Sequence, residues 1–283
     1  MFAIAGKTVA VTGAGGALCG RMSVALASLG ARIAVLDRDY DAAVRTAENS
    51  RNAAAASGLG GDAAAFVCDV LDEESLIQAR EAVTTQFGPV DALVNGAGGN
   101  HPKASTQNSF LDRQAYTAGT DRGLFDVEFD DFRKTFDPNF FGTFLPTQVF
   151  AGAMVERGSG AVVNISSMTA IRPLTKVGAY GAAKAAVSNF TAWLAVHLAQ
   201  TGVRVNAIAP GFFMTEQLRF LHVDQQTGEL TARAEATIAG TPMGRYGYPD
   251  DLLGTLVWLI SDASRFVTGT VIPVDGGFSV YSL

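Results

Sequence analysis

Short apolar runs rich in Val, Ile and Ala alternate along the chain with longer stretches of helical periodicity. The runs Thr8–Thr12, Ala31–Leu36, Ala64–Cys68, Ala92–Asn95, Ala161–Ile165, Val203–Ala209 and Val271–Val274 are predicted strands. Several are apolar at successive positions, the pattern of parallel strands covered by helices on both faces. Between them Met22–Leu29, Asp41–Ala56, Glu73–Phe87, Phe129–Arg157, Ala179–Gln200 and Asp250–Ser261 read as helices. Alternation from end to end predicts βαβ units in an α/β fold, a doubly wound parallel sheet of about seven strands. No Pro/Ser-rich linker, composition shift or internal repeat divides residues 1–283, which are read as one domain.

Two stretches, 98–125 and 212–241, break this rhythm. They leave the carboxyl ends of the fourth and sixth strands, where ligands bind in open α/β sheets, and are read as substrate-side lids.

Composition narrows the function. The chain is 48% hydrophobic and 17% charged, which excludes a disordered segment. A net charge of −6 gives no cationic footprint, so neither nucleic acid nor an anionic membrane is an expected partner. No apolar run reaches the ~18 residues of a membrane span, and Met1–Lys7 lacks a signal peptide's basic start and apolar core. A cytoplasmic location is expected. Cys19 and Cys68 are too few for a disulfide framework or a metal-ligand set, and both read as buried packing residues. No metal is expected.

The first strand runs into Thr12-Gly13-Ala14-Gly15-Gly16-Ala17-Leu18-Cys19-Gly20 and then into a helix. Glycines at such a turn let the backbone approach a pyrophosphate, which the helix N-terminus then stabilises. Leu18 holds the last position of a G-x-G-x-x-G pattern, so the run misses the strict form. Gly-rich turns also serve simply to reverse a chain. Asp37 ends the second strand 24 residues after Gly13, where a carboxylate accepts bonds from adenosine ribose hydroxyls. A solvated turn residue or helix cap is its alternative; the glycine turn upstream favours the cofactor. Cys68-Asp69-Val70 and Asn95-Gly96-Ala97-Gly98 close the third and fourth strands where adenine and its ribose would lie. Each also fits turn chemistry alone.

Tyr180 and Lys184, four residues apart, share one face of a helix. A neighbouring ammonium favours tyrosinate and should lower a phenol pKa that is ~10 when free. Ser167 ends the fifth strand 13 residues before Tyr180, where a hydroxyl can orient a substrate carbonyl. Asn139 follows Pro138, which should disturb its helix.

With these elements in order, the chain resembles the short-chain dehydrogenase/reductase family over essentially its whole length. The carriers are Thr12-Gly13 with its glycine turn, Asp69-Val70, Asn95-Gly96-Ala97-Gly98, Asn139, Ser167, Tyr180-x-x-x-Lys184, and Pro210-Gly211 with Thr215. The resemblance implies a Rossmann-type fold with Tyr180 as general acid/base and Ser167 orienting the carbonyl. Lys184 would hold the nicotinamide ribose and tune Tyr180, and Asn139 would anchor a water in a proton relay. The implied cofactor residues are Gly13, Gly15, Gly16, Leu18, Asp37, Asp69, Val70, Asn95, Gly96, Ala97, Tyr180 and Lys184. Backbone around Pro210, Gly211, Phe213 and Thr215 would hold the carboxamide. NAD is the expected cofactor because Asp37 repels a 2′-phosphate, although the adjacent Arg38 can bind one. A homotetramer is expected, as for many members. One departure stands out: the family turn usually reads Thr-Gly-x-x-x-Gly-x-Gly, and Ala17 and Cys19 occupy its last two glycine positions. Gly15, Gly16 and Gly20 are the expected compensation.

A narrower resemblance lies in Gly99–Ala104, Leu145–Gln148, Arg172–Thr175, Gly211–Gln217 and Val274–Ser279. It points to the D-mannonate oxidoreductase (fructuronate reductase) branch, which implies interconversion of D-fructuronate and D-mannonate. The rim residues Asn100, His101, Lys103, Arg172 and Gln217 are polar and partly cationic, suited to hydroxyls and a carboxylate. Each also fits an exposed, solvated residue. Arg172 is expected to clamp the carboxylate, with Lys103 and His101 as alternatives, or else to tie down the lid through Asp112 or Asp121. The rivals are a gluconate 5-dehydrogenase or other polyol or sugar reductase, and a non-catalytic dinucleotide-binding regulator. Binding alone needs no positioned phenol and hydroxyl, which disfavours the regulator.

Overall fold

Val9 and Val11 face one side of strand β1 (Thr8–Thr12) and Ala10 the other, and both sides are buried. The same holds for β2 (Arg32–Asp37), β4 (Ala92–Asn95) and β5 (Gly160–Ile165), because helices cover both faces. The computed structural model describes residues 1–215, 222–224 and 227–282. Among them β3 (Asp62–Val67), β6 (Val203–Pro210) and β7 (Val271–Val274) complete one parallel sheet of seven strands, in the order β3-β2-β1-β4-β5-β6-β7. Ile33, Val35, Val94 and Val163 fill one core; Leu36, Leu93, Val162 and Val205 fill the other.

Helix α1 (Ala17–Ser28) and α2 (Tyr40–Ser57) cover the first core, and α3 (Glu73–Phe87) and α5 (Phe129–Arg157) the second. Asp39 and Asp72 cap α2 and α3 by accepting from Ala42 N and Glu74 N, both at 3.0 Å. Helix α1 differs: Gly16 precedes it without a capping side chain, and no acid lies in its first turn. Its leading N–H groups therefore have no side-chain acceptor of their own. α6 spans Gly178–His197.

The structure shifts several expected boundaries. α1 starts at Ala17 rather than Met22, and β3 at Asp62 rather than Ala64. The last helix divides into a 3₁₀ turn, Pro249–Leu252, and α8, Leu253–Ile260. Segment 98–125 contains a short helix, α4 (Arg113–Thr117), and segment 212–241 contains α7 (Ala232–Ala239). Pro138 does not break α5, which also accommodates Pro146. Hydroxyls of Thr143 and Thr147 donate along this stretch to Asn139 O (2.9 Å) and Thr143 O (2.7 Å). β1 lies between β2 and β4, so the direction of winding reverses beside its carboxyl end. That is where a doubly wound sheet opens a ligand crevice.

Candidate active site

The turn after β1 is built for close backbone approach. Gly13 has φ +64°, and a Cβ there would lie 2.7 Å from Ala97 Cα. A Cβ on Gly15 would lie 2.7 Å from Ala42 Cβ and 2.9 Å from Asp37 Oδ2. Gly15 N–H donates to that same Oδ2 at 2.8 Å, and Asp39 N–H donates to Oδ1 at 3.0 Å. Asp37 is thus a fixed carboxylate at the end of β2, linked directly to the glycine turn. Thr12 Oγ1 accepts from Gly96 N (3.1 Å) and Ala97 N (3.3 Å), which locks the β1 and β4 ends together. In the sequence Thr12 is visible only as part of the glycine-turn motif, and nothing there signals that its hydroxyl bridges two strands.

Cys19 solves its own problem differently from expectation. Its sulfur packs on Gly96, where a Cβ would fall 2.1 Å from Sγ. The compensation comes from the end of β4, across the crevice, and not chiefly from Gly15 or Gly16. Gly20 contributes by approaching Thr46 Oγ1. Burial pushes the Cys19 thiol up to about 12, so it stays protonated.

Asn95 lies beneath the crevice. Its amide donates to Thr147 Oγ1 and Asn164 Oδ1, both at 2.9 Å, and Asn164 passes the chain on to Thr191 Oγ1. Its Oδ1 is buried without a partner. Asp69 Oδ1 accepts from Leu71 N at 2.9 Å, so part of this carboxylate shapes its own turn. Val70 packs against Gly142 of α5, and Leu18 against the first core. At the end of β6, Gly211 N donates to Val274 O (3.0 Å), and a Cβ on Gly211 would lie 2.6 Å from Asp275 Cα. Phe213 is buried, pairs with Gly247, and sends its ring into the core, so only its backbone can face a ligand. Pro210 ends β6 and Thr215 is buried.

The uncapped α1 N-terminus, the side-chain-free cradle at Gly13 and Gly15, and the pinned Asp37 carboxylate together fit a dinucleotide. An anion can meet free N–H groups, and a diol can meet the carboxylate.

The residues expected to be catalytic converge above β5. Ser167, just beyond the strand, accepts from Thr169 N at 3.2 Å and bonds the Tyr180 hydroxyl. Tyr180 is partly exposed as a residue, but its phenol is enclosed. Burial raises its pKa, and the Ser167 bond opposes this more weakly. Lys184 Nζ sits 5.7 Å from the Tyr180 ring centroid and donates to Ile165 O at 2.7 Å. Burial depresses Lys184 to about 8. The expected lowering of Tyr180 by Lys184 is therefore not the main effect; desolvation dominates and favours the neutral phenol. Asn139 Nδ2 donates to Gly99 O (2.7 Å) and Thr135 O (2.6 Å), which ties α5 to the segment leaving β4. Its Oδ1 is buried without a partner beside Gly98.

The rim departs most from expectation. Arg172 donates to Phe278 O at 3.0 Å and to Tyr281 O, and stacks on the Phe278 ring. It meets neither Asp112, which caps α4, nor Asp121, which accepts from Asn108 at 2.9 Å. His101 N donates to Thr135 Oγ1 (2.9 Å), and its Nδ1 lies 3.9 Å from Asp131 Oδ1. Asp131 pairs with Lys134 at 2.9 Å, and Lys103 adds positive potential there. Asn100 donates to Ser105 Oγ at 3.0 Å. Gln217 falls outside the described residues.

Comparison with known proteins gives this geometry its class. A sequence model described as enoyl-(acyl carrier protein) reductase matches residues 15–279. The chain belongs to the short-chain dehydrogenase/reductase family of oxidoreductases. It is 49% identical over 282 residues to an uncharacterized oxidoreductase of Bacillus subtilis (strain 168), covering 99% of this chain and 97% of that one. It is also similar to a solved Haemophilus structure described as a candidate D-mannonate oxidoreductase with bound NAD. That match has 44% identity and a TM-score of 0.89, and covers 99% and 97% of the two chains. A gluconate 5-dehydrogenase of Gluconobacter oxydans is 30% identical over 280 residues, 99% of this chain and 97% of its own.

Proposed function

We propose that this chain is an NAD(H)-dependent oxidoreductase that interconverts a keto sugar acid and its alcohol, D-fructuronate and D-mannonate. The observation that carries the reading is full-length similarity, at 44% identity, to the Haemophilus protein described as a candidate D-mannonate oxidoreductase with bound NAD. The polar character of Asn100, His101 and Lys103 supports it, since an acyl chain would favour apolar contacts. NAD(H), when bound, supplies or takes up the hydride at the carbinol carbon.

In reduction, the Ser167 hydroxyl donates to the ketone oxygen and orients it. Tyr180, kept protonated by burial, gives its proton to that oxygen as the alcohol forms, and is left as phenolate. The nearby Lys184 ammonium stabilises that anion, and its depressed pKa makes it a group that can return a proton near neutrality. Asn139 holds Gly99 and so fixes the segment from which His101 and Lys103 project. In oxidation the same steps run backwards.

Segments 98–125 and 212–241 act in this reading as lids of a single catalytic domain. The active form is a cytoplasmic homotetramer; exposed Phe129, Phe141 and Trp193 on α5 and α6 support association. No helix among the described residues is long and apolar enough to cross a membrane.

The test is NADH oxidation with fructuronate, tagaturonate, 5-ketogluconate and fructose. Fructuronate should give the highest kcat/KM. A maximum with 5-ketogluconate would favour a gluconate 5-dehydrogenase, and no turnover with any carbonyl would favour a binding protein.

A further inference from the structure

The chain's own C-terminal turn joins the catalytic loop to both ends of segment 212–241. Arg172 lies between Ser167 and Tyr180, and its Nη1 donates to the carbonyls of Phe278 and Tyr281. Its guanidinium carbon lies 5.4 Å from the centroid of the Phe278 ring. That ring meets Phe212 edge-on, at 5.1 Å and 80°. It also lies 3.0 Å from where a Cβ on Gly240 would stand. Phe212 opens the segment and Gly240 stands near its close, so one ring touches both ends.

The surrounding backbone stiffens this contact. Asp275 accepts from Gly277 N (2.9 Å) and Ser279 N (2.8 Å), which shapes the turn under Phe278. Met243 N donates to Gly276 O at 3.1 Å. Phe212 also packs edge-on against Tyr246, whose hydroxyl bonds His222 Nδ1 at 3.0 Å.

We propose that Arg172 is a positioning residue: through the turn Phe278–Tyr281 it registers both ends of segment 212–241 against the loop carrying Ser167 and Tyr180. It thereby sets the shape of the substrate side. The proposal rests on the dehydrogenase reading only for its kinetic consequence. Carbonyl acceptors bear no net charge, so the contact uses the planar donors and stacking surface of the guanidinium more than its charge. Carboxylate recognition in a sugar acid then falls to His101 and Lys103.

The experiment compares the parent with Arg172→Ala, Arg172→Lys, Phe278→Ala and the Arg172→Ala/Phe278→Ala double variant. Each alanine variant should raise substrate KM about tenfold, ~1.4 kcal/mol, with little change in kcat or NADH affinity. The double variant should be no worse than the poorer single, because both cut one connection. Arg172→Lys should recover part of the loss. A sugar acid and its uncharged analogue should suffer equally. Trypsin should cleave faster after Arg233, in α7, in both single variants, while their melting temperatures stay near the parent's.

A loss confined to the acid substrate, additive losses in the double variant, or unchanged cleavage would each overturn the proposal. The cleavage arm needs no substrate, so failure of every sugar acid would strike the substrate reading alone. Should Phe278→Ala not fold, Arg172→Ala and Arg172→Lys at this exposed site still decide the matter.

Discussion

Cys19 and Gly96 pack so closely that a Cβ on Gly96 would lie 2.1 Å from the Cys19 sulfur but 3.5 Å from its Cβ. Gly96→Ala should therefore cost about 1–3 kcal/mol of stability, through overpacking, and weaken NADH binding. Adding Cys19→Ala should restore most of both, since the colliding atom is gone. Chemical denaturation and NADH fluorescence titration measure the pair. If the second substitution brings no recovery, the collision is not the source of the damage.

Tyr180→Phe should lower turnover by roughly 10²–10⁴-fold while NADH binding stays nearly unchanged, because only the hydroxyl moves the proton. Lys184→Ala should harm both. Single-turnover kinetics beside NADH titration separates the two effects, and retention of more than about a tenth of the rate in Tyr180→Phe contradicts the assigned role.

Asp37 carries a cofactor choice. Its two oxygens are held by Gly15 N and Asp39 N at 2.8 and 3.0 Å, which leaves a fixed negative charge at the β2 end. NADH should be the more efficient cofactor. Asp37→Ala should lose efficiency with NADH and narrow or invert the ratio, aided by exposed Arg38. Higher kcat/KM with NADPH in the parent would refute this.

Stability of the cofactor-free protein should rise with pH in an unusual window. Burial depresses Lys184 to about 8, below its unfolded value, so its charged form penalises the folded state at neutral pH. The penalty is relieved as pH climbs from about 8 towards the ordinary lysine range. Relative to Lys184→Met, the parent should gain on the order of 1–2 kcal/mol between about pH 7.5 and 9.5. Tyr180 works in the opposite direction at higher pH. Its folded value is raised, so the stability it contributes is lost once the unfolded phenol ionises. Urea denaturation across this range gives the slope; parallel curves for parent and variant would exclude Lys184 as the cause.

What could be read beforehand follows from where the information resides. Glu73–Phe87 and Phe129–Arg157 have the expected ends because glycines follow them and their periodicity is long. The start of α1 is not marked in the sequence because Gly16, its first neighbour, carries no capping side chain. α7 lies outside the sequence expectation, although Thr231 accepts from Ala234 N at 3.3 Å as a helix cap, because its eight residues sit inside a long stretch without strand or helix rhythm. The Tyr180, Lys184 and Ser167 cluster was legible, since each residue stands at a strand end or on one helix face. The partners of Arg172 were not. They are backbone carbonyls more than 100 residues away, and a carbonyl leaves no mark on the identity of its residue. The relation of Cys19 to Gly96 was hidden for a similar reason, since it exists only once β1 and β4 meet.

That meeting has a kinetic side. β1 pairs with β4 in the register Val9↔Ala92 and Thr12↔Asn95, while the local partner of β1 is β2. A chain emerging only as far as Val67 already holds the glycine turn and Asp37, yet lacks the wall of Gly96 and Ala97 against which the turn is set. Closing so long a loop is entropically costly and slow compared with local contacts. The crevice is therefore completed by a non-local step, and competence to hold a dinucleotide reports that the two halves of the sheet have joined.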